Sequence, residues 1–210
     1  AAMRALGVEV IERGHDFQAA SEIADQIAVE RRLHRFPSFH PLLVRGVGTY
    51  ALELFRAVPE LDTVYVPVGM GSGLCGVIAA RDALNLRTRI VAVVSEQAPA
   101  FALSHEQGRV VSHDVTTRIA DGMACRTPVE DALAIARHGV DRVVLVSDEE
   151  VESAMRALFA DTHNTAEGAG AAALAALLQE KETMRGRNVA IVVSGGNVDT
   201  ALFSAILGAT

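Results

Sequence analysis

A glycine-rich loop between two apolar runs constrains the fold of this chain more than any other feature. Residues 63–68, TVYVPV, have the length and composition of a buried strand, and residues 89–94 form a second run of this kind. The loop, at 69–73, leads into a helical pattern over about 74–84. A strand, a helix and a strand in this order form a parallel pair, because the helix returns the chain to the same end of the sheet. The sequence therefore predicts an α/β fold.

Hydrophobic periodicity extends this alternation over the rest of the chain. We predict a mostly parallel twisted sheet with helices on both faces, because buried strands alternate with helical segments. Ser147, followed by Asp148, is expected to begin a capped helix. Prolines in the segment 36–41 restrict the backbone, so this segment is predicted to be a connector and domain boundary. Further strands are predicted at 7–11, 142–146 and 189–193, and further helices at 1–6, 16–32, 49–55, 132–138 and 166–178.

Charge and composition argue against several classes of protein. The net charge is −7 and the longest basic cluster is Arg31-Arg32, so we expect no nucleic-acid partner. Because no apolar run reaches the roughly 18 residues of a membrane span, we expect a cytoplasmic protein with no membrane partner. Cys75 and Cys125 have no metal-ligand spacing and are expected to be reduced and structural.

Lysine is almost absent from the chain. Of the 19 Lys and Arg residues only Lys181 is a lysine, and both of its sequence neighbours are glutamates. A catalytic amine needs an apolar or cationic environment that lowers its pKa. Lys181 is therefore expected to lie at a solvated helix end and to take no part in catalysis.

The loop at 69–73 is predicted to bind a phosphate group. Glycines let the backbone approach a ligand closely, and the amides at the start of a helix favour an anion. Residues 71–76 also read G-x-G-x-x-G, and Glu96 ends the next strand, which together match the dinucleotide fingerprint. Taken alone, this loop leaves a Rossmann-type dinucleotide-binding domain as an alternative.

A second loop, Ser194-Gly195-Gly196-Asn197, follows the last predicted strand. It is expected at the carboxyl edge of the sheet, where open α/β sheets bind ligands. Its glycines allow close passage of a flat ring, and the Ser194 hydroxyl can donate or accept a hydrogen bond. The two loops together indicate a ligand with a phosphate at one end and an aromatic nitrogen at the other.

These motifs resemble those of the serine/threonine dehydratase and serine racemase family, the fold-type II enzymes that use pyridoxal phosphate. The resemblance runs from residue 1 to about residue 201. Its motifs are VPVGMGSGL at 66–74, VSGGNVD at 193–199, IADG at 119–122, AEGAG at 166–170 and GVGT at 46–49, where the family more often has glutamine in place of Val47.

The resemblance implies a cofactor, pyridoxal 5′-phosphate, and the residues that bind it. Ser194 would hydrogen-bond the ring nitrogen without forcing its protonation, which suits β-elimination. Met70 and Ser72 stand where the family usually has glycine in this loop. Both residues require a backbone with negative φ. The phosphate would be bound by the main-chain amides of Gly69, Met70, Gly71, Ser72 and Gly73.

The resemblance also implies an incomplete catalytic apparatus. The family's Schiff-base lysine precedes the segment that matches this chain, so we expect a fragment comprising the C-terminal two-thirds of the enzyme, with no catalytic residue of its own. We expect residues 1–35 to be the C-terminal part of a small domain and residues 36–210 the large cofactor-binding domain.

The activity that the resemblance implies is that of an ammonia-lyase, or dehydratase, acting on threonine or serine and releasing a 2-oxo acid and ammonia. Serine racemase and hydroxyaspartate dehydratase are alternatives within the family. A homodimer or tetramer is expected.

Two acidic residues have more than one interpretation. Glu96 matches a cation ligand of some relatives, but the companion position is Ala102, so we predict no metal site. Glu167 could lie near the active site, or it could serve only to stabilise a helix N-terminus.

Overall fold

The computed structural model describes residues 2–209 and divides into two compact units, Ala1–Pro37 and Ser38–Thr210. The first contains α1 (Ala2–Ala5) and α2 (Phe17–Arg31), which begins where the Asp16 carboxylate accepts the Ala19 amide at 2.7 Å. Both helices were predicted, although residue 1 of the first lies outside the described residues. The strand predicted at 7–11 is wrong, because this segment forms no strand and pairs with no strand among the described residues.

The second unit is built on a parallel four-stranded sheet. Its strands are β1 (Thr63–Pro67), β2 (Arg89–Ser95), β3 (Arg142–Val146) and β4 (Val189–Ile191). They lie in the order β3-β2-β1-β4, so the glycine-loop strand β1 is paired on both edges. This arrangement confirms the predicted parallel α/β sheet.

Helices cover both faces of the sheet, as the alternating pattern predicts. Adjacent strand residues point to opposite faces, so Tyr65 joins a core with the helices at 148–162 and 168–179, while Val64 and Val66 join a core with those at 41–57, 72–83 and 130–139. Alanines such as Ala172 let the helix at 168–179 pack closely, since they are fully buried. The helices of this unit are α3 (Pro41–Ala57), α4 (Ser72–Ala83), α5 (Ala100–Gln107), α6 (Glu130–Gly139), α7 (Asp148–Thr162), α8 (Gly168–Gln179) and α9 (Thr200–Gly208).

One helix begins earlier than the sequence predicts. The prediction placed its start at Thr49, but α3 begins at Pro41, where the missing proline N–H costs no hydrogen bond. The His40 ring Nδ1 accepts a hydrogen bond of 3.1 Å from the Leu42 amide and caps the helix. Thr49 instead lies inside α3 and donates to the Gly46 carbonyl at 2.7 Å. The helices α5 and α9 were not predicted.

Membrane insertion through a helix has no support in this fold. Across residues 2–209, no helix combines the length and the apolar character needed to cross a bilayer.

The start of α7 offers a test of local stability. Ser147 Oγ accepts the Glu150 amide at 3.2 Å, and Glu150 Oε2 accepts the Ser147 amide at 2.8 Å, which completes a capping box. Ser147→Ala should lower the free energy of unfolding by about 1 kcal/mol, measured by urea denaturation. The control is Ser153→Ala in the interior of α7, which should not lower stability because alanine is the better helix former. Equal losses in both variants would contradict this assignment of the cap.

Candidate active site

The glycine loop presents a row of unpaired backbone donors. Gly71, with φ of +93°, caps α4, which begins at Ser72. The Val68 amide donates to Val93 O and the Cys75 amide to Gly71 O, both at 2.9 Å. Within residues 2–209, no hydrogen bond uses the amides of residues 69–74 that lie between them. These N–H groups lie at the positive end of a helix, an arrangement that favours an anion such as a phosphate.

The glycines of this loop serve different purposes. A Cβ on Gly69 would collide with the carbonyl oxygen of Gly122, and one on Gly71 would lie 2.7 Å from the Ala132 Cβ. A Cβ on Gly73 would meet no atom within 4 Å, so the backbone there faces open space. The non-glycine residues with positive φ in the described chain are Arg32, Asn85 and His163. The replacements Met70 and Ser72 therefore avoid the left-handed region, as their side chains require.

The second loop lies at the same edge of the sheet as the first. The Val192 amide donates to Tyr65 O at 3.0 Å, which extends the pairing of β4 with β1 to the start of this loop. Gly73 and Ser194 both line a cavity of about 620 Å³. The structure therefore brings together the two loops that were predicted to share a ligand.

Two further motifs support these loops through contacts at glycine. A Cβ on Gly168, the first residue of α8, would collide with the carbonyl oxygen of Ile119, and one on Gly170 with that of Gly195. A Cβ on Gly196 would lie 2.6 Å from Thr165 O. The IADG, AEGAG and SGGN segments therefore pack backbone against backbone, which explains why glycine recurs in all three.

The GVGT segment has a structural role within α3. A Cβ on Gly76 of α4 would lie 2.9 Å from the Gly48 amide nitrogen, so glycine lets the two helices approach closely. Val47 and Thr49 line the same cavity as Ser194. Tyr50 also lines it, and burial raises the pKa of its hydroxyl to about 12. Sequence reasoning missed Tyr50, which belongs to no motif.

Lys181 lies far from the two loops. It is exposed in the turn after α8, whereas the start of α8 contacts the Ser194–Asn197 loop. A helix of 12 residues spans about 18 Å, so the Lys181 backbone is separated from the Ser194–Asn197 loop by about the length of α8.

Metal ligands are not clustered in the described chain. Glu96 is exposed just after β2, and Ala102 lies in α5. Among residues 2–209, no group of three or more His, Cys, Asp or Glu side chains is arranged to hold a metal ion.

The two cysteines are free thiols. Burial raises the pKa of Cys75 to about 12 and that of Cys125 to about 11. Both are therefore protonated at neutral pH and are poor nucleophiles.

Comparison with known proteins identifies a family of enzymes that this chain matches. A family profile described as pyridoxal-phosphate dependent enzyme matches residues 1–195. The chain is 36% identical, over 98% of its length, to an L-threonine ammonia-lyase of Geobacter sulfurreducens, and it spans about half (52%) of that protein.

Solved structures show the same similarity. The processed form of threonine deaminase isoform 2 from Solanum lycopersicum superposes with a TM-score of 0.89 at 28% identity, covering 98% of this chain and 57% of that one. Maize serine racemase superposes with a TM-score of 0.83 at 29% identity, covering 97% of this chain and 65% of that one.

Two glycine substitutions in the first loop should differ in their effect on stability. Gly71→Ala should lower the free energy of unfolding by roughly 1–2 kcal/mol from the left-handed backbone alone, and the contact with Ala132 adds to this cost. Gly73→Ala should leave stability unchanged or raise it by about 0.5 kcal/mol, because the position is helical and open. Urea denaturation of both variants measures the difference. An equal loss of stability in both would contradict this account of the loop.

Proposed function

This chain belongs to the family of pyridoxal-phosphate dependent enzymes, and we propose that it is part of an ammonia-lyase, or dehydratase, of threonine or serine. The reaction releases a 2-oxo acid and ammonia. The observation that carries the proposal is the row of free amides at the start of α4, at the same cavity as Ser194. The similarity to L-threonine ammonia-lyase and to threonine deaminase supports the choice of substrate.

We propose that each loop binds one end of the cofactor. The free amides of the first loop would donate hydrogen bonds to the phosphate, and the α4 dipole would favour its negative charge. The Ser194 hydroxyl, which lines the same cavity, would hydrogen-bond the ring nitrogen. The residues assigned to the cofactor are Gly69, Met70, Gly71, Ser72, Gly73 and Ser194.

The chemistry of the site follows from the type of residue at each end. The cofactor, when bound, supplies an electron sink for charge that develops at the substrate α-carbon. A serine hydroxyl carries no charge and can donate or accept, so Ser194 does not force a proton onto the ring nitrogen. The Gly73 backbone, free of any Cβ, leaves room for the phosphate beside the helix start.

We propose that no residue of this chain removes the α-proton. Lys181 is exposed beyond α8, and its backbone is separated from the Ser194–Asn197 loop by about the length of that helix. The lysine that bonds the cofactor is therefore proposed to lie outside these 210 residues, and the chain alone is proposed to be inactive.

The domain organisation is part of the same proposal. We assign residues 1–35 to the C-terminal part of a small domain and residues 36–210 to the large cofactor-binding domain. We also propose a cytoplasmic homodimer or tetramer. Two free, buried or half-buried thiols are consistent with a reducing compartment. Light scattering of the purified protein measures its oligomeric state.

A serine racemase is the second candidate, because the maize enzyme shares this fold at 29% identity. A hydroxyaspartate dehydratase shares the same cofactor site in our proposal and differs only in substrate.

Ligand titration tests the cofactor assignment without the need for a catalytic lysine. Pyridoxine 5′-phosphate has the ring and the phosphate but no aldehyde, so it cannot bond covalently to Lys181. We expect the chain to bind it at least tenfold more tightly than pyridoxine, which lacks the phosphate, by isothermal titration calorimetry. Gly73→Ala should weaken binding of the phosphate ester, because the new methyl group occupies the open space beside the amides.

The matched control is Gly208→Ala, at the end of α9, where the added Cβ also meets no atom within 4 Å. It should leave the affinity for pyridoxine 5′-phosphate unchanged. Equal affinity for the ester and for pyridoxine, or tighter binding of NAD⁺ than of the ester, would contradict the assignment.

A further inference from the structure

Glu167 is the N-cap residue of α8, but its side chain does not cap the helix. Its backbone is extended, with φ of −75° and ψ of 169°, and its side chain makes no hydrogen bond to the first turn of its own helix. Instead Glu167 Oε2 accepts the Asn197 amide of the second loop at 3.0 Å. This contact argues against a role confined to the helix N-terminus.

The same residue holds the loop through its main chain as well. The Glu167 amide donates to the Gly195 carbonyl at 3.1 Å. A Cβ on Gly195 would lie 2.5 Å from Glu167 Oε1 and 2.8 Å from Glu167 Cδ. The carboxylate therefore lies directly against the loop backbone, at a place that only glycine leaves free.

Glu167 also faces the segment that supports the first loop. A Cβ on Gly122 would lie 3.7 Å from Glu167 Oε1. The carbonyl oxygen of Gly122 in turn occupies the space that a Cβ on Gly69 would need. The carboxylate is thus placed between the turn that contacts the first loop and the backbone of the second.

The second loop packs on the start of α8 and on Thr165 but has no regular secondary structure of its own. Residues 192–199 form no helix or strand, and Ser194 and Asn197 are exposed. A carboxylate accepts a hydrogen bond roughly twice as strong as a neutral acceptor does, so the half-buried Glu167 competes effectively with water for the Asn197 amide.

We propose that Glu167 is a positioning residue, which anchors the Ser194–Asn197 loop so that the Ser194 hydroxyl reaches the cofactor ring. This inference rests on the function proposed above. Glu167 touches the loop and not the phosphate-binding amides, so it governs the ring end of the ligand. Its removal should therefore weaken ring recognition and spare phosphate recognition.

Two probes separate these effects in the 210-residue chain. Inorganic phosphate reports on the first loop alone, and pyridoxine 5′-phosphate reports on both loops. Glu167→Ala should lower the affinity for pyridoxine 5′-phosphate about tenfold and leave that for inorganic phosphate within about twofold. Glu167→Gln keeps an oxygen that can accept a hydrogen bond from the Asn197 amide. Its affinity for pyridoxine 5′-phosphate should therefore stay within about threefold of that of the unaltered chain. The ultraviolet band of the bound ring, which responds to hydrogen bonding at its nitrogen, should shift in the alanine variant only.

A change on the other side of the contact tests whether the two residues act together. Gly195→Ala should displace the Glu167 carboxylate and weaken binding of pyridoxine 5′-phosphate as Glu167→Ala does. In the double variant, which carries both Gly195→Ala and Glu167→Ala, the shortened residue 167 leaves room for the methyl group of residue 195. The loss of affinity for pyridoxine 5′-phosphate should therefore be no greater than in either single variant. Glu182→Ala, which removes an exposed carboxylate outside both loops, is the control and should change neither affinity.

The outcomes distinguish this inference from the proposed function. If the unaltered chain binds neither probe, the cofactor assignment fails. If it binds both, and Glu167→Ala keeps its affinity for pyridoxine 5′-phosphate or loses affinity for both probes equally, the positioning role alone is overturned. Additive losses in the double variant would also overturn it. Faster hydrogen exchange of the Asn197 amide in Glu167→Ala, but not in Glu167→Gln, would support it independently of any ligand.

Discussion

Parallel pairing of β1 with β4 places two distant loops at one edge of the sheet. Tyr65 pairs with Ile191 in register, and the Val192 amide continues the ladder to Tyr65 O. Since both strands run in the same direction, their carboxyl ends meet, and the loops that follow them lie side by side. The residues that we propose bind the cofactor are separated by more than 100 positions in sequence, and this pairing, together with the glycines that let the loops pack, brings them to one edge of the sheet.

The unpaired backbone amides of the first loop are the reason that an anion is favoured there. Backbone N–H groups away from water are almost always paired, and leaving one unpaired is costly. The first turn of α4 cannot pair its own amides, and the Gly69–Gly73 backbone adds further donors beside them. An anion satisfies several of these donors at once, which is the physical reason that a phosphate suits this place. The close contacts of Gly69 and Gly71 with neighbouring segments fix the loop before any ligand arrives.

Local patterns were enough to predict most of the sheet, because each strand is a short apolar run followed by a turn signal. The strand predicted at 7–11 failed because apolar composition does not supply a hydrogen-bonding partner. The start of α3 was missed because Pro41 was treated as a helix breaker, whereas the first position of a helix tolerates proline. The dinucleotide alternative also could not be dismissed from the first loop alone, since residues 71–76 and Glu96 match the dinucleotide fingerprint. Family membership settles that question in favour of pyridoxal phosphate.

The residues that hold the loops in place were harder to predict than the loops themselves. Glu167 was recognised as part of a motif, but its contact with the Asn197 amide spans 30 positions and has no periodic signature. Tyr50 belongs to no motif and was identified only by its place in the cavity. Such contacts depend on tertiary packing, which a single sequence does not encode in any local pattern.

The central claim is that the loops at 69–73 and 194–197 bind one ligand together. Amide chemical shifts of the isotope-labelled chain, followed by NMR during a titration with pyridoxine 5′-phosphate, test this claim directly. We expect the amides of both loops to shift together along the titration and to give the same dissociation constant. Shifts confined to one loop, or two different dissociation constants, would contradict a single shared site.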